Sequence, residues 1–423
     1  MNRQANVLPL GEKIKQIRMT KGLSQKSLAD AMQCSEATIS RIENGQLECS
    51  PEMLAAIKKV MGVENAPLFD YELTEYKYRL MIWWELIVAR KITEAKALQN
   101  KLSPIMYLPF ERDLYLQFNI IEANLLMLET NVPAAEERVN TAEALLENTG
   151  DDTLYLFHYG KGLFHAFRID FVNALKHLLK AYDLKKSEAE LLLSIAIVYK
   201  NLSKPYKAIK FFELAKEKYG GEYFSIAGSR LACFYASCCM HINQHDKAKT
   251  LLDEALAMAR SINDEGILRM VLATLALHYI KTGDYKAAVE FSNKVLEYGQ
   301  LKNDKEYEIT LFYKGLALLK IKDFAQVQEV VEHGLSISKE NELFTISFNT
   351  LGHLMTLYDS TSTDYIEDIA IPYYRAANDL KYLALDLCKE LEQHYKKKNV
   401  KKAGFAIAVT IRELYEEMFM GDV

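Results

Sequence analysis

Small residues recur in pairs seven positions apart: Ala135/Ala142, Ala174/Ala181, Ala208/Ala215, Ala248/Ala255 and Ala370/Ala377. Ala288/Val295 and Val327/Gly334 continue the set. Twelve residues ahead of most first members stands another small residue: Ala123, Gly162, Ala196, Ala236, Ala276 or Gly315. Gly352 plays this part ahead of an enlarged loop. The period is therefore 34–40 residues. It describes a unit of two helices whose close approach demands small side chains at fixed points. Aromatics, among them Tyr199, Phe212, Tyr279, Tyr285, Phe291 and Tyr374, fill the space between as core.

Composition agrees with an all-α fold. The 423 residues include only 18 glycines and 8 prolines, too few turn formers for a sandwich, barrel or doubly wound sheet. At 50% apolar and 26% charged the chain can bury a core, which excludes a disordered or membrane protein. The apolar run 80–89 is broken by Glu85 and too short to span a bilayer. With no leader-like stretch at the start, a cytoplasmic location is expected. Six cysteines, at 34, 49, 233, 238, 239 and 388, form no C-x-x-C pair and read as reduced packing thiols.

The net charge of −5 is unevenly spread. Residues 1–62 hold nine Lys/Arg against six Asp/Glu, a net of +3, which leaves −8 for the rest. This basic segment reads as short punctuated helices. Ile14 and Ile17 mark a first helix, stopped at Lys21-Gly22. Ser24 caps a second, with Leu28, Ala29 and Met32 inward; Gln33-Cys34 is a tight turn. Ser35 caps a third, with Ile39 and Ile42 inward and Asn44-Gly45 as its stop. Ser50-Pro51 opens a fourth. Two helices across a three-residue turn, inside a basic unit, suit a helix-turn-helix reader of DNA.

The stretch from Lys13 to Ile57, with IR…KGLSQ..LA, then S..TISRIENG, then SPE..L, resembles the Cro/cI-type (XRE-like) helix-turn-helix. It departs at Gln33, where many relatives have glycine in a left-handed turn. The third helix then enters the major groove, presenting Ser35, Glu36, Ala37, Thr38, Ser40 and Arg41. Ser24, Gln25 and Lys26, at the start of the second helix, face phosphate. The resemblance also implies that Arg18 and Glu43 form an internal salt bridge rather than touching DNA.

Residues 272–299, LATLALHYIKTGDYKAAVEFSNKVLEYG, resemble the tetratricopeptide repeat. About seven copies are expected from Arg112 to Phe419, with a degenerate eighth near Tyr76–Leu102 and an atypical unit, Leu383–Phe419, as end cap. The resemblance implies a right-handed superhelical solenoid whose first helices line a concave groove for an extended peptide. Inward positions counted from the landmarks are Tyr159, Asn201, Arg230, His241, Lys281 and Asn349. The asparagines suit a peptide backbone, having both donor and acceptor. Arg230 and Lys281 suit a carboxylate.

A DNA-reading head on such an array resembles the RNPP regulators. The resemblance implies a head at 1–66 and a peptide-binding, oligomerising array at 67–423. It implies a palindromic double-stranded operator, a short re-imported signalling peptide, and a homodimer or higher oligomer. Two alternatives stand beside it: Rap-type action on a sporulation response regulator, through first repeats that offer Gln99 and Gln117, or a phage arbitrium-type receptor. No catalytic, cofactor or metal site is expected. His241 and His245 straddle an inter-helix turn without further ligands, and Lys396–Lys402 reads as a solvated loop between helices.

Overall fold

The structure, a computed structural model, describes residues 8–64, 70–102, 112–147, 149–299, 305–339, 341–357 and 362–420. Among them there are helices and no strand. By contact the chain divides into two compact units, Met1–Lys186 and Ser187–Val423. The expected boundary at 66/67 lies inside the first unit, and residues 65–69 are outside the described set.

The first unit opens with α1 (Leu10–Thr20), α2 (Gln25–Ala31), α3 (Glu36–Glu43) and α4 (Pro51–Val60). Each expected cap is in place. The Ser24, Ser35 and Ser50 hydroxyls accept from the backbone N–H of Ser27, Thr38 and Met53 at 2.9, 3.1 and 3.2 Å, satisfying donors that each helix start leaves open. Gln33 takes φ 53°, the left-handed conformation the turn requires. Its side chain makes that turn about 1 kcal/mol dearer than glycine would. Ile14, Ile17, Leu28, Ile39, Ile42, Leu54 and Ile57 close a core of this segment's own.

Helix pairs follow. In the first unit they are α5 (Asp70–Val88) with α6 (Ile92–Leu102), α7 (Arg112–Leu128) with α8 (Val132–Glu143), and α9 (Asp151–Phe167) with α10 (Phe171–Leu184). The second unit has α11 (Ala189–Asn201) with α12 (Pro205–Tyr219), α13 (Ile226–His241) with α14 (His245–Ile262), and α15 (Glu265–Thr282) with α16 (Tyr285–Leu296). It continues with α17 (Lys305–Lys320) and α18 (Phe324–Ile337), α19 (Glu342–Thr356) and α20 (Ile371–Ala376), and α21 (Lys381–Lys398) and α22 (Lys401–Tyr415). Eight pairs thus follow Arg112, one more than the landmarks suggest. The last pair lacks the full landmark: Glu392 and Ile411 stand twelve before and seven after Gly404, and a Cβ on Gly404 would meet nothing nearer than Tyr395 at 3.6 Å. By contrast, a Cβ on Gly162 would come within 2.7 Å of Leu178, and one on Gly334 within 2.4 Å of Phe348. The basic run 396–402 is mostly helical, a correction to the loop expected: Lys396–Lys398 end α21, Lys401 opens α22, and only Asn399-Val400 turns.

In eight of the nine pairs the turn repeats one backbone device; that between α19 and α20 lies partly outside the described residues. Arg90, Thr130, Ile169, Ser203, Asn243, Gly283, Lys322 and Asn399 all have φ between 56° and 85°. This left-handed residue ends the first helix. Where Asn131, Asp170, Asp284 or Asp323 follows, its side chain caps the second. In the second unit the array closes on itself. Ser203 Oγ donates to the Asn378 carbonyl at 2.5 Å, and Lys204 Nζ to the Glu417 carbonyl at 2.9 Å.

Between α9 and α10 lies a histidine trio. His158 and His177 share a hydrogen bond, Nδ1 to Nδ1, at 3.1 Å, so one donates and the other accepts. His165 stacks on His177 and holds Asp170 at 3.0 Å. Burial, with Lys161 and Lys180 nearby, lowers His158 from its ordinary 6.5 to about 4. Burial, Lys161 and the other two histidines lower His177 to about 3. His165 is lowered too, by burial and despite Asp170. The folded chain therefore holds these rings neutral, whereas the unfolded chain binds protons below 6.5. Stability is present above that value and is lost as pH falls from 6.5 toward 4. Going from pH 7 to pH 5 is expected to cost about 1 kcal/mol after allowing for partial exposure. Urea melts at both pH values check this. The His177→Gln chain should lose part of the slope, and an equal slope in both chains refutes the assignment.

Candidate functional site

On the DNA-reader segment, Ser35, Glu36, Ala37 and Arg41 are exposed on one side of α3, with Thr38 and Ser40 half-buried beside them. Ser24 and Lys26 are exposed at the start of α2. The opposite side of α3 is fixed from within. Arg18 donates from Nε to Glu43 at 2.6 Å, from a second nitrogen at 3.0 Å, and to the Leu23 carbonyl at 2.7 Å. This is the internal salt bridge expected, and Glu43 has no exposed side-chain surface. Gln25, expected at phosphate, turns its amide inward: Nε2 donates to Glu43 Oε2 at 2.7 Å. Lys58 on α4 donates to both carboxylate oxygens of Glu72 on α5 at 2.9 and 3.2 Å, tying the segment to the first helix pair.

The six groove candidates are not all brought together. Tyr159, in the first unit, is only 2% exposed and packs edge-on against Trp84. Asn201 ends α11 and accepts from Lys200 Nζ at 3.3 Å. Arg230 lends its charge to Glu190, whose carboxyl is nevertheless raised by burial. Asn349 hydrogen-bonds Tyr365. His241 stacks face to face on Tyr382, ring centroids 3.4 Å apart, and burial holds it well below its ordinary value. Lys281 Nζ sits 2.5 Å from Asp386 Oδ2.

His241 and Lys281 therefore converge on α21. Lys320 joins them, 2.5 Å from Glu390. Asn201, His241, Lys281 and Lys320 each stand two residues ahead of a left-handed turn residue, at 203, 243, 283 and 322. Against them α21 presents Tyr382, Asp386 and Glu390, one helical turn per repeat. Two cavities flank this seam, of about 480 and 440 Å³. Lys320 and the α21 residues escaped the sequence reading. Their signal was the 39-residue step from Lys281 to Lys320 set against four-residue steps on α21.

Gln99 and Gln117 are engaged inside the first unit, donating to Glu122 Oε1 at 2.8 Å and Thr153 Oγ1 at 2.7 Å. Burial raises the Cys233 and Cys238 thiols to about 12, in keeping with packing. Among the described residues, no group of three or more His, Cys, Asp or Glu is placed to hold a metal. No helix there is long and apolar enough to cross a membrane.

Residues 14–64 match the helix-turn-helix family and residues 229–300 the tetratricopeptide repeat family. Among solved structures, a Rap protein complexed with competence and sporulation factor superposes with TM-score 0.72. It is 18% identical, over 82% of this chain and 99% of that one. The apo quorum sensor NprR from B. thuringiensis gives 0.63 and 20%, over 81% of this chain and 99% of its own. The chain has the domain pair and the fold of the RNPP proteins. A further RNPP-type structure, NprR with its cognate peptide NprX, gives TM-score 0.60 at 21% identity, over 76% of this chain and 98% of that one. Curated protein sequences contain no match. With these solved structures the likeness is one of fold.

Proposed function

We propose that the chain is a non-enzymatic, peptide-responsive transcription regulator of the cytoplasm. Residues 1–66 read double-stranded DNA, and residues 67–423 bind a short signalling peptide and oligomerise. The carrying observation is the α3 surface: an exposed row of Ser35, Glu36, Ala37 and Arg41 backed by the buried Arg18–Glu43 pair. A rigidly backed, polar helix start is what base readout needs. Ser24, Lys26, Thr38 and Ser40 complete the contact set. Gln25 acts there by bracing Glu43. Two heads on one homodimer would read half-sites of a palindrome about 34 Å, or a multiple of that, apart. Peptide binding shifts the arrangement of the heads, with a coupling of about 1–3 kcal/mol. Tyr159, Asn201, Arg230, His241, Lys281 and Asn349 remain the groove set, and contacts to Tyr382 and Asp386 on α21 give His241 and Lys281 the leading roles. No cofactor enters this reading.

The test uses duplexes enriched from a random pool by the full-length protein. Arg41→Ala and Thr38→Ala should each weaken binding to the enriched duplex by about 1–3 kcal/mol, read by mobility shift, with unchanged helix content. Parent-like binding by both variants sinks the placement of α3. A response-regulator role gains nothing from Gln99 and Gln117, since both side chains are spent on internal hydrogen bonds.

A further inference from the structure

The two cavities beside α21 share three wall residues: Lys281, Asp386 and Lys389. The Lys281–Asp386 pair is thus a partition between them. On one side the lining is aromatic, with Tyr206, Tyr382, Tyr415 and Phe419. On the other it is mainly aliphatic, with Leu316, Leu319, Leu354, Leu383 and Leu387 beside Phe312 and Tyr374. Joined, the two spaces fall within the range of about 300–1,000 Å³ typical of ligand sites.

We propose that Asp386 occupies the place of a ligand carboxylate, and that the ligand is a short extended peptide with an acidic side chain between apolar ones. This rests on the peptide-receptor reading above. The ligand's carboxylate takes over Lys281, the partition opens, and one apolar neighbour enters each cavity. Three observations make Asp386 replaceable. Its side chain is 43% exposed while that of Lys281 is 22% exposed, so the pair contributes little to stability and Asp386 already has access to water. Exchanging one carboxylate for another leaves Lys281 paired and no charge stranded. Lys389, on the wall of both cavities, stands three residues after Asp386 on α21, the spacing of neighbours on one helix face. Glu390 on Lys320, one turn further along α21, holds the helix in place while Asp386 yields. Aliphatic and aromatic walls supply affinity, and the lysine sets the register of the bound chain.

The experiment uses the immobilised full-length chain and two synthetic heptapeptide pools. Both are randomised over apolar residues. One carries a fixed central Asp and the other a fixed central Asn. Retained peptide is counted by mass spectrometry. The parent chain should retain the Asp pool about tenfold over the Asn pool, the expected gain from one charge-assisted contact. Lys281→Gln should equalise the pools. Asp386→Asn should raise retention of the Asp pool severalfold by removing the internal competitor. Equal retention of both pools by the parent overturns the carboxylate exchange while leaving a peptide receptor standing. Asp386→Asn with retention unchanged or lowered also overturns it. No retention of either pool by any of the three chains overturns both this inference and the peptide-receptor reading. The comparison on the parent chain needs no variant to fold.

Discussion

Glu43→Ala should unfold the first four helices and abolish DNA binding while the helix pairs stay folded. Glu43 has no exposed side-chain surface and takes hydrogen bonds from Arg18 Nε at 2.6 Å and Gln25 Nε2 at 2.7 Å. Removing the carboxylate leaves a guanidinium that is itself 9% exposed and no longer paired, a situation that costs about 3–5 kcal/mol. A segment of some sixty residues has a total stability of about the same size. Its core is its own, built on Ile14, Ile17, Leu28, Ile39 and Ile57, so the damage need not spread to the repeats. Limited proteolysis should then cut readily inside the first sixty residues and spare the remainder. A chain that keeps the parent's digestion pattern and its DNA affinity would show that the pair is dispensable.

Trp83→Ala should cost about 3–5 kcal/mol, as expected for deleting a wholly buried indole. Trp83 is the largest fully buried side chain of the core and lies 5.1 Å, centroid to centroid, from Phe118, which joins α5 to α7. Trp83→Phe should be far milder, below about 1.5 kcal/mol, because the ring contact survives in smaller form. The indole N–H has no hydrogen-bond partner among the described residues, so phenylalanine forfeits none. Urea melts of the two variants separate packing from polarity. Equal losses would mean that Trp83 acts through its N–H and not through its rings.

The helix pairs were legible because close packing leaves a mark in the sequence. Ala135, Ala174, Ala208, Ala248 and Ala288 are all 0% exposed. The count fell one short because Glu392 and Ile411 stand where the landmark expects small residues around Gly404. Apart from those near His241 and Lys398, the turns inside the pairs were hard to see for a different reason. They need a left-handed residue, yet among those described only Gly283, Asn243 and Asn399 are types that favour it. Ile169 is the extreme case, a β-branched side chain at φ 62°. Tertiary packing holds it there at a cost no propensity reading would accept.

The site was legible in part. The outward residues of α3 followed from cap positions and helical period alone, because Ser35 fixes the phase of the helix. Gln25 did not follow, since its inward turn depends on Glu43, eighteen residues away. Landmark counting picked out Asn201, His241 and Lys281 but not Lys320, which sits at the same point of its own repeat, two residues ahead of a left-handed turn. Nor could it find α21, whose Asp386 meets Lys281 across 105 residues of sequence. Contacts of that separation leave no local period to read.

The bond from Ser203 to Asn378 has a kinetic meaning. It joins residues 175 apart. An open stack of repeats can begin folding at any repeat and grow by neighbours, so its ends fray first. Once the stack is sealed into a ring, the last bonds to form are the ones with the longest intervening chain, and closing that loop carries the entropy of all the repeats between. The second unit should therefore be slow to finish folding, and its first and last described pairs, once joined, should fray less readily than the ends of an open stack.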